Sequence, residues 1–220
     1  MTELLQNGFS AMELSVSDAQ IAQLEDFTAR MLETNKVMNL TRITDPKEIA
    51  EKHLLDCASL LQIADFSHKS VIDVGCGAGF PGMPLHILCP SCRLTLLDSL
   101  GKRIRFLQGC IDGMQLSDIE AVHARAEEFA AKHREQYDFA VSRAVAQLNV
   151  LAELSLPLVK QGGAFIAMKS KDSDDELEQA KKAIRLLGGE IEKVVDYTIP
   201  NTDITHRLVV ICKKQHTPKQ

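Results

Sequence analysis

No stretch of this 220-residue chain approaches the roughly 20 consecutive apolar residues that a membrane-spanning helix needs. The opening MTELLQNGFSAMELS has neither the basic region nor the small-residue cleavage site of a signal peptide, so the chain reads as cytoplasmic with no membrane partner. Six scattered cysteines do not make a disulfide framework and are read as reduced thiols. Cys89-Pro-Ser-Cys92 has metal-ligand spacing, but no second CxxC and no HxxxH accompanies it. Cys110 and the histidines do not complete a tetrahedral set either, so no metal is expected. There is also no excess of positive charge. The net charge of −5 argues against a bulk nucleic-acid binder. Residues 1–69 carry 6 Lys/Arg against 11 Asp/Glu, whereas residues 70–220 carry 19 of each, which leaves room for a local basic face.

What is present is ordinary for a globular protein: 45% hydrophobic and 25% charged residues, enough chain for one domain with an added segment. The boundaries expected are a helical segment over 1–66 packing on the core, a main domain over 67–214 and a frayed tail over 215–220. Ser17 with Gln20 makes a capping box, followed by an apolar stripe at Ile21, Leu24, Phe27, Met31 and Leu32. A second helix is expected from Asp45-Pro46, with Glu48 closing another box. From residue 70, strands at 71–74, 93–98, 118–123, 137–142 and 163–169 alternate with helices near 81–89, 100–112, 125–134, 147–160 and 173–187. The last helix has Ser173 and Glu176 as its box. That alternation predicts an α/β fold with a mainly parallel sheet. The stretches 190–199 and 206–213, joined by Pro200-Asn201-Thr202-Asp203, predict a closing antiparallel hairpin. A parallel sheet closed by one antiparallel strand is the arrangement of Rossmann-like class I methyltransferases.

The chemistry concentrates in residues 71–82, VIDVGCGAGFPG. An apolar strand feeding Gly75, Gly77 and Gly79 is how α/β sheets hold nucleotide-like cofactors at the strands' carboxyl ends. Gly77-x-Gly79-x-x-Gly82 also satisfies the dinucleotide fingerprint, a weak match alone. Asp73, two residues before Gly75, favours a cofactor with a cationic end, because an acid there repels a pyrophosphate. Asp98, closing LTLLD, is placed to accept from ribose hydroxyls and does not choose between cofactors. Ala126 and Glu127 offer a backbone N–H and a carboxylate to an adenine edge, and Phe80 a surface for the methionine chain. Around the fourth strand there is no Asn/Asp-Pro-Pro-aromatic run and no cysteine nucleophile, only Ser142-Arg143-Ala144. That suits an acceptor already nucleophilic and carrying no proton, such as guanine N7, where alignment supplies most of the rate.

These residues resemble the ribosomal RNA small subunit methyltransferase G family over nearly the whole chain. The resemblance runs through Asn39-Leu40-Thr41, His53 and Asp56, DVGCGAGFPGMPL at 73–85, LLDSLGKRIRFL at 96–107, Ala126-Glu127, SRA at 142–144 and His206-Arg207-Leu208. It implies an S-adenosyl-L-methionine-dependent enzyme that methylates N7 of a guanine in bacterial 16S rRNA, within the small ribosomal subunit or an assembly intermediate. By the resemblance, Gly75, Phe80, Ala126, Glu127 and Arg143 contact the cofactor, with Gly77, Gly79 and Asp98 completing the pocket. Arg143 also stands beside the transferring methyl as the catalytic candidate. Cys76 becomes an oxidation-sensitive point beside the cofactor. Lys102, Arg103, Arg105 and Arg207, with Arg125, Lys169 and Lys171, lie after strands on one side and are expected to form a phosphate-contacting face. Three alternatives remain open on the residues alone. They are a class I methyltransferase acting on a small molecule or protein, a nicotinamide-dependent dehydrogenase, and a module that binds the cofactor without catalysis.

Overall fold

The computed structural model describes residues 1–143 and 146–218. Its sheet is built out from β1 (Ser70–Val74), the apolar run that precedes the glycines. β2 (Arg93–Asp98) and then β3 (Ile119–His123) add in parallel on one side. β4 (Tyr137–Arg143) and then β5 (Val159–Ser170) add in parallel on the other. β6 (Gly189–Thr198) and β7 (Thr205–Lys213) form the expected hairpin, and β7 inserts antiparallel between β5 and β6. The order is β3-β2-β1-β4-β5-β7-β6. Chain direction across the sheet reverses between β1 and β4, and ligands of open α/β sheets settle at the carboxyl ends beside such a reversal.

Side chains alternate across the sheet with the period of two that a strand imposes. Val71, Ile166 and Met168 join one core with Leu24, Phe27 and Met31 of α2 (Asp18–Met38) and Phe9 of α1 (Thr2–Ala11). Ile72, Val74, Phe165 and Ala167 join the opposite core. There they meet Leu151 of α8 (Leu148–Ser155) and Ala180 of α9 (Asp174–Leu186). The leading helices thus cover one sheet face and share its core. The Ser17–Gln20 capping box forms as expected.

Four local readings need correction. The second helix begins at Asp45, whose Oδ1 accepts from the Lys47 and Glu48 N–H groups, but Glu48 pairs with Lys52 instead of closing a box. After α3 (Pro46–Ile49) the chain makes a π-helical turn over Ala50–Leu55, then α4 (Asp56–Ala58) and a 3₁₀ turn over Ser59–Gln62. The helix expected over 147–160 stops at Ser155, because Pro157 lacks an N–H and forces a 3₁₀ turn before β5 starts at Val159. Ser173 makes no side-chain cap; Glu176 instead reaches the Leu148 N–H at 2.5 Å and Lys169 Nζ at 2.6 Å.

Residues 214–218 do not fray. Lys214 and Gln215 donate to the Gly188 carbonyl, and the Thr217 N–H donates to Glu135 Oε1 at 2.9 Å. Thr217 Oγ1 also accepts at 2.6 Å from the buried ammonium of Lys213. Deleting residues 215–220 removes the Thr217 hydrogen bonds to Lys213, Glu135 and the Leu187 carbonyl and should lower stability by about 1–3 kcal/mol in urea unfolding. An unchanged midpoint would restore the frayed-tail reading.

Candidate active site

The loop after β1 is stitched to the end of β2. The Gly75 and Cys76 N–H groups donate to the Leu97 carbonyl at 2.8 and 3.0 Å, and Gly77 N–H donates to Asp98 Oδ2 at 2.9 Å. Gly77 has φ +58°, and only the Gly75 carbonyl oxygen, 4.0 Å away, comes near where a Cβ would stand, so a ligand can lie against its backbone. Gly82, at the start of α5 (Gly82–Leu88), is fixed by crowding: a Cβ there would meet Leu96 Cδ2 at 2.4 Å and Asp73 Oδ2 at 2.8 Å. Above the loop is a cavity of about 520 Å³, lined by Gly75, Cys76, Gly77, Phe80, Asp98 and Arg103 on the sheet side. Leu40, Thr41 and His53 close it from the helical segment.

Asp73 is sealed beneath this loop with no exposure. Its Oδ2 accepts from the Gly82 N–H at 2.8 Å, while Oδ1 has no partner among the described residues. Burial raises its pKa to about 7 against the pull of that N–H and of Arg143. Asp73 does not line the cavity, so of the two ways its carboxylate could meet a cofactor ammonium, directly or through water, this conformation leaves Oδ1 the indirect one. Asp98 lines the cavity as expected; its Oδ1 accepts from Leu100 N–H at 2.8 Å, and Arg103 Nη1 lies 3.3 Å from Oδ2. Each carboxylate oxygen retains acceptor capacity.

Arg143, ending β4, is the partition of the site. Its Nη1 donates to Asp56 Oδ2 at 3.0 Å and to the Lys52 carbonyl at 3.1 Å, and its Nη2 to His53 Nδ1 at 3.0 Å. The guanidinium carbon stands 5.0 Å from the centre of the Phe80 ring, on which His53 stacks at 4.4 Å. His53 Nδ1 also lies 3.1 Å from the Lys52 carbonyl, so it accepts from Arg143 in one tautomer and donates to that carbonyl in the other, while Nε2 stands 3.2 Å from Thr41 Oγ1. Burial, then the Arg143 charge, push the His53 pKa down to about 4, so the ring is neutral.

Asp56 collects three donors. Besides Arg143, Tyr197 Oη donates to Oδ1 at 2.6 Å and His206 Nδ1 at 2.8 Å. Burial alone would raise the Asp56 acid, but the His206 hydrogen bond and the Arg143 charge outweigh it and hold the carboxyl below its ordinary value. His206 is raised in return, by its hydrogen bond to Asp56. On the far side of Arg143 and His53 opens a second cavity, of about 600 Å³. Lys52, Asp56, Met168, Lys169, Glu176 and His206 are among its walls. The two cavities share His53 and Arg143.

The other expected site residues divide. Phe80 lines the first cavity while packing edge-on against Phe27 at 5.6 Å. Gly79 sits inside the turn, where a Cβ would meet Leu107 and Met83, and it does not line the cavity among the described residues. Ala126 and Glu127 open α7 (Ala126–Lys132) outside the cavity wall, and the exposed Glu127 carboxylate pairs with Arg125. Ala144 of the SRA run lies outside the described residues. Cys76 is buried, and burial pushes its thiol well up, so it stays protonated rather than oxidation-prone. On α6 (Gly101–Gly113), Lys102 and Arg105 are exposed, but Arg103 turns to Asp98 and belongs to the cavity. Arg207 is removed from the basic face. It is 7% exposed and held between Asp174 and Asp196, each 2.6 Å away, so its charge is already compensated. Lys169 is likewise buried against Glu176. No sequence pattern pointed to Tyr197, Lys52 or the Glu176 carboxylate. Only the position of Asp56 on an otherwise apolar helix face, beside Cys57 and Ala58, signalled a buried charge.

The strand order, the reversal beside β1 and the glycine loop beneath a cavity define a Rossmann-like class I methyltransferase. M. jannaschii TYW2 in complex with AdoMet shares the fold at 13% identity and TM-score 0.58, covering 77% of each chain. A predicted O-methyltransferase from Agrobacterium tumefaciens does so at 19% identity and TM-score 0.57, over 74% of this chain and 81% of its own. The family model described as rRNA small subunit methyltransferase G matches residues 20–205. Ribosomal RNA small subunit methyltransferase G of Clostridium botulinum (strain Loch Maree / Type A3) is 44% identical, over 99% of this chain and 92% of its own. That of Alkaliphilus oremlandii is 45% identical, over 100% and 93%. The chain belongs to this family.

The raised His206 pKa has a sign. A histidine whose folded pKa exceeds the unfolded value contributes stability below the unfolded pKa, near 6.5, and loses it as pH rises through the folded one. Titration of the His206 ring by NMR should give a midpoint above 6.5 that returns toward 6.5 in Asp56→Asn. An identical midpoint in both proteins would detach His206 from Asp56.

Proposed function

We propose that this chain transfers a methyl group from S-adenosylmethionine to N7 of a guanine in 16S rRNA. The observation that carries the reading is the shared wall: a cofactor-sized cavity over the glycine loop and a second cavity meet at His53 and Arg143. The residues present fit the cofactor. Gly77 leaves room at the backbone, Asp98 lines the cavity with acceptor capacity to spare, and the orphaned Asp73 Oδ1 faces the demand of a cationic end. When bound, that cofactor supplies an electrophilic methyl, which the N7 lone pair takes as the carbon–sulfur bond breaks.

No proton has to be removed from N7, so the reaction needs no base at the shared wall. His53 Nδ1 is occupied by Arg143, and both Asp56 oxygens are hydrogen-bonded. What the chain contributes is alignment. Arg143 is immobilised by Asp56 and the Lys52 carbonyl, and its Nε–H and one Nη2–H remain to orient the cofactor carboxylate or guanine O6. Residues 67–214 hold the cofactor, and the helical segment 1–66 supplies Thr41, His53 and Asp56. Ala126 and Glu127 stand after β3, where the adenine edge is expected. Exposed Lys102 and Arg105, with Arg125 and Lys171, supply the phosphate contacts. The setting is the cytoplasm, on the small subunit or an assembly intermediate.

Undermethylated small subunits incubated with tritiated methyl donor should acquire label on a guanine N7, and label on any other atom would contradict the reading. Arg143→Ala should lower kcat by about 100-fold or more, the cost of misplacing reactants by about an ångström; near-normal turnover would remove Arg143 from its role. Lys102→Ala with Arg105→Ala should weaken rRNA binding and flatten its salt dependence by about one unit of slope for each phosphate no longer neutralised. An unchanged slope would place the phosphate face elsewhere.

A further inference from the structure

We propose that the second cavity is a base-reading pocket in which Glu176 accepts from guanine N1–H and N2–H while Lys169 donates to O6. The proposal rests on the guanine-N7 reading and extends it from where the methyl goes to how the base is chosen. The cavity, of about 600 Å³, has apolar walls at Ile43, Met168 and Ile204 that suit the faces of an extruded base. One wall is Arg143 with His53, toward the cofactor cavity; Lys169 and Glu176 also line it. A guanine that turns N7 to the first wall offers O6, then N1–H, then N2–H in succession along its edge.

The side chains match that succession. Glu176 Oε1 accepts from Leu148 N–H and is ion-paired with Lys169 Nζ, whereas Oε2 makes no hydrogen bond among the described residues. Lys169 Nζ donates to the Ala146 carbonyl at 3.0 Å and is ion-paired with Glu176 at 2.6 Å, so at least one of its three protons is left for a ligand. Their side chains are only 18% and 10% exposed, so the free oxygen and the free proton sit where a lost hydrogen bond is costly. Among the four RNA bases, guanine alone offers two adjacent N–H donors beside a carbonyl on its pairing edge. Adenine and cytosine set an amine beside an acceptor, and uracil flanks its single N–H with carbonyls.

The test replaces the methylated guanine with inosine, which keeps N7, O6 and N1–H and lacks only the N2 amine, in reconstituted small subunits. Wild-type kcat/KM should favour guanosine by on the order of 10- to 100-fold, the worth of one hydrogen bond to a charged acceptor. Glu176→Gln retains an acceptor for Leu148 N–H and replaces the free carboxylate oxygen with a donor. It should lose a similar factor on guanosine and lose the preference over inosine, with its affinity for S-adenosylmethionine unchanged even where loss of the Lys169 ion pair lowers its thermal midpoint. Equal wild-type rates on guanosine and inosine would overturn the proposal without any variant, as would an intact preference in Glu176→Gln. Failure of the wild type to methylate either subunit would instead overturn the guanine-N7 reading, and the pocket with it.

Discussion

The buried carboxylate of Asp56 is the constraint on which the site depends. It is 2% exposed, and an unpaired charge in that position would cost several kcal/mol. It is tolerated because Arg143, Tyr197 and His206 reach it from β4, β6 and β7. One side chain of the helical segment therefore joins three strands that lie on the same side of the sheet reversal. Arg143 cannot swing freely between the two cavities while Asp56 and the Lys52 carbonyl hold it. The partition is fixed before any ligand arrives.

The π-helical turn over Ala50–Leu55 makes this geometry available. Its i→i−5 bonding is seen where Asp56 N–H donates to Glu51 O, and such turns concentrate at functional sites. The Lys52 carbonyl accepts from Arg143, and His53 and Asp56, three residues apart, both face the same guanidinium. His53 then stacks on Phe80, so the glycine loop and the helical segment meet through an aromatic contact and a hydrogen bond.

Much of the fold was legible because its signals are local. Strand and helix alternation, the hairpin turn and the Ser17–Gln20 box each report on residues within a few positions. The glycine loop was legible for the same reason. What escaped depends on partners far away in sequence. Glu176 looked like a capping residue, yet a lysine on β5 and an N–H of α8 draw it elsewhere. Arg207 looked like a free cation at a strand end, yet Asp174 and Asp196 neutralise it across α9 and β6. The place of Arg207 near the start of the last strand was read correctly. Charge compensation was not readable, because it arises only when the strands pair.

The central claim is that Asp56 and Arg143 act as one unit holding the partition between two cavities. A double-mutant cycle in urea unfolding, with Asp56→Asn, Arg143→Gln and the pair, measures this directly. Each single change leaves a buried group without its partner, so each should cost about 3–5 kcal/mol. The double variant should cost less than the two combined, by about 2 kcal/mol or more. Strictly additive losses would show that the two side chains are neighbours without being coupled, and the account of the partition would fall.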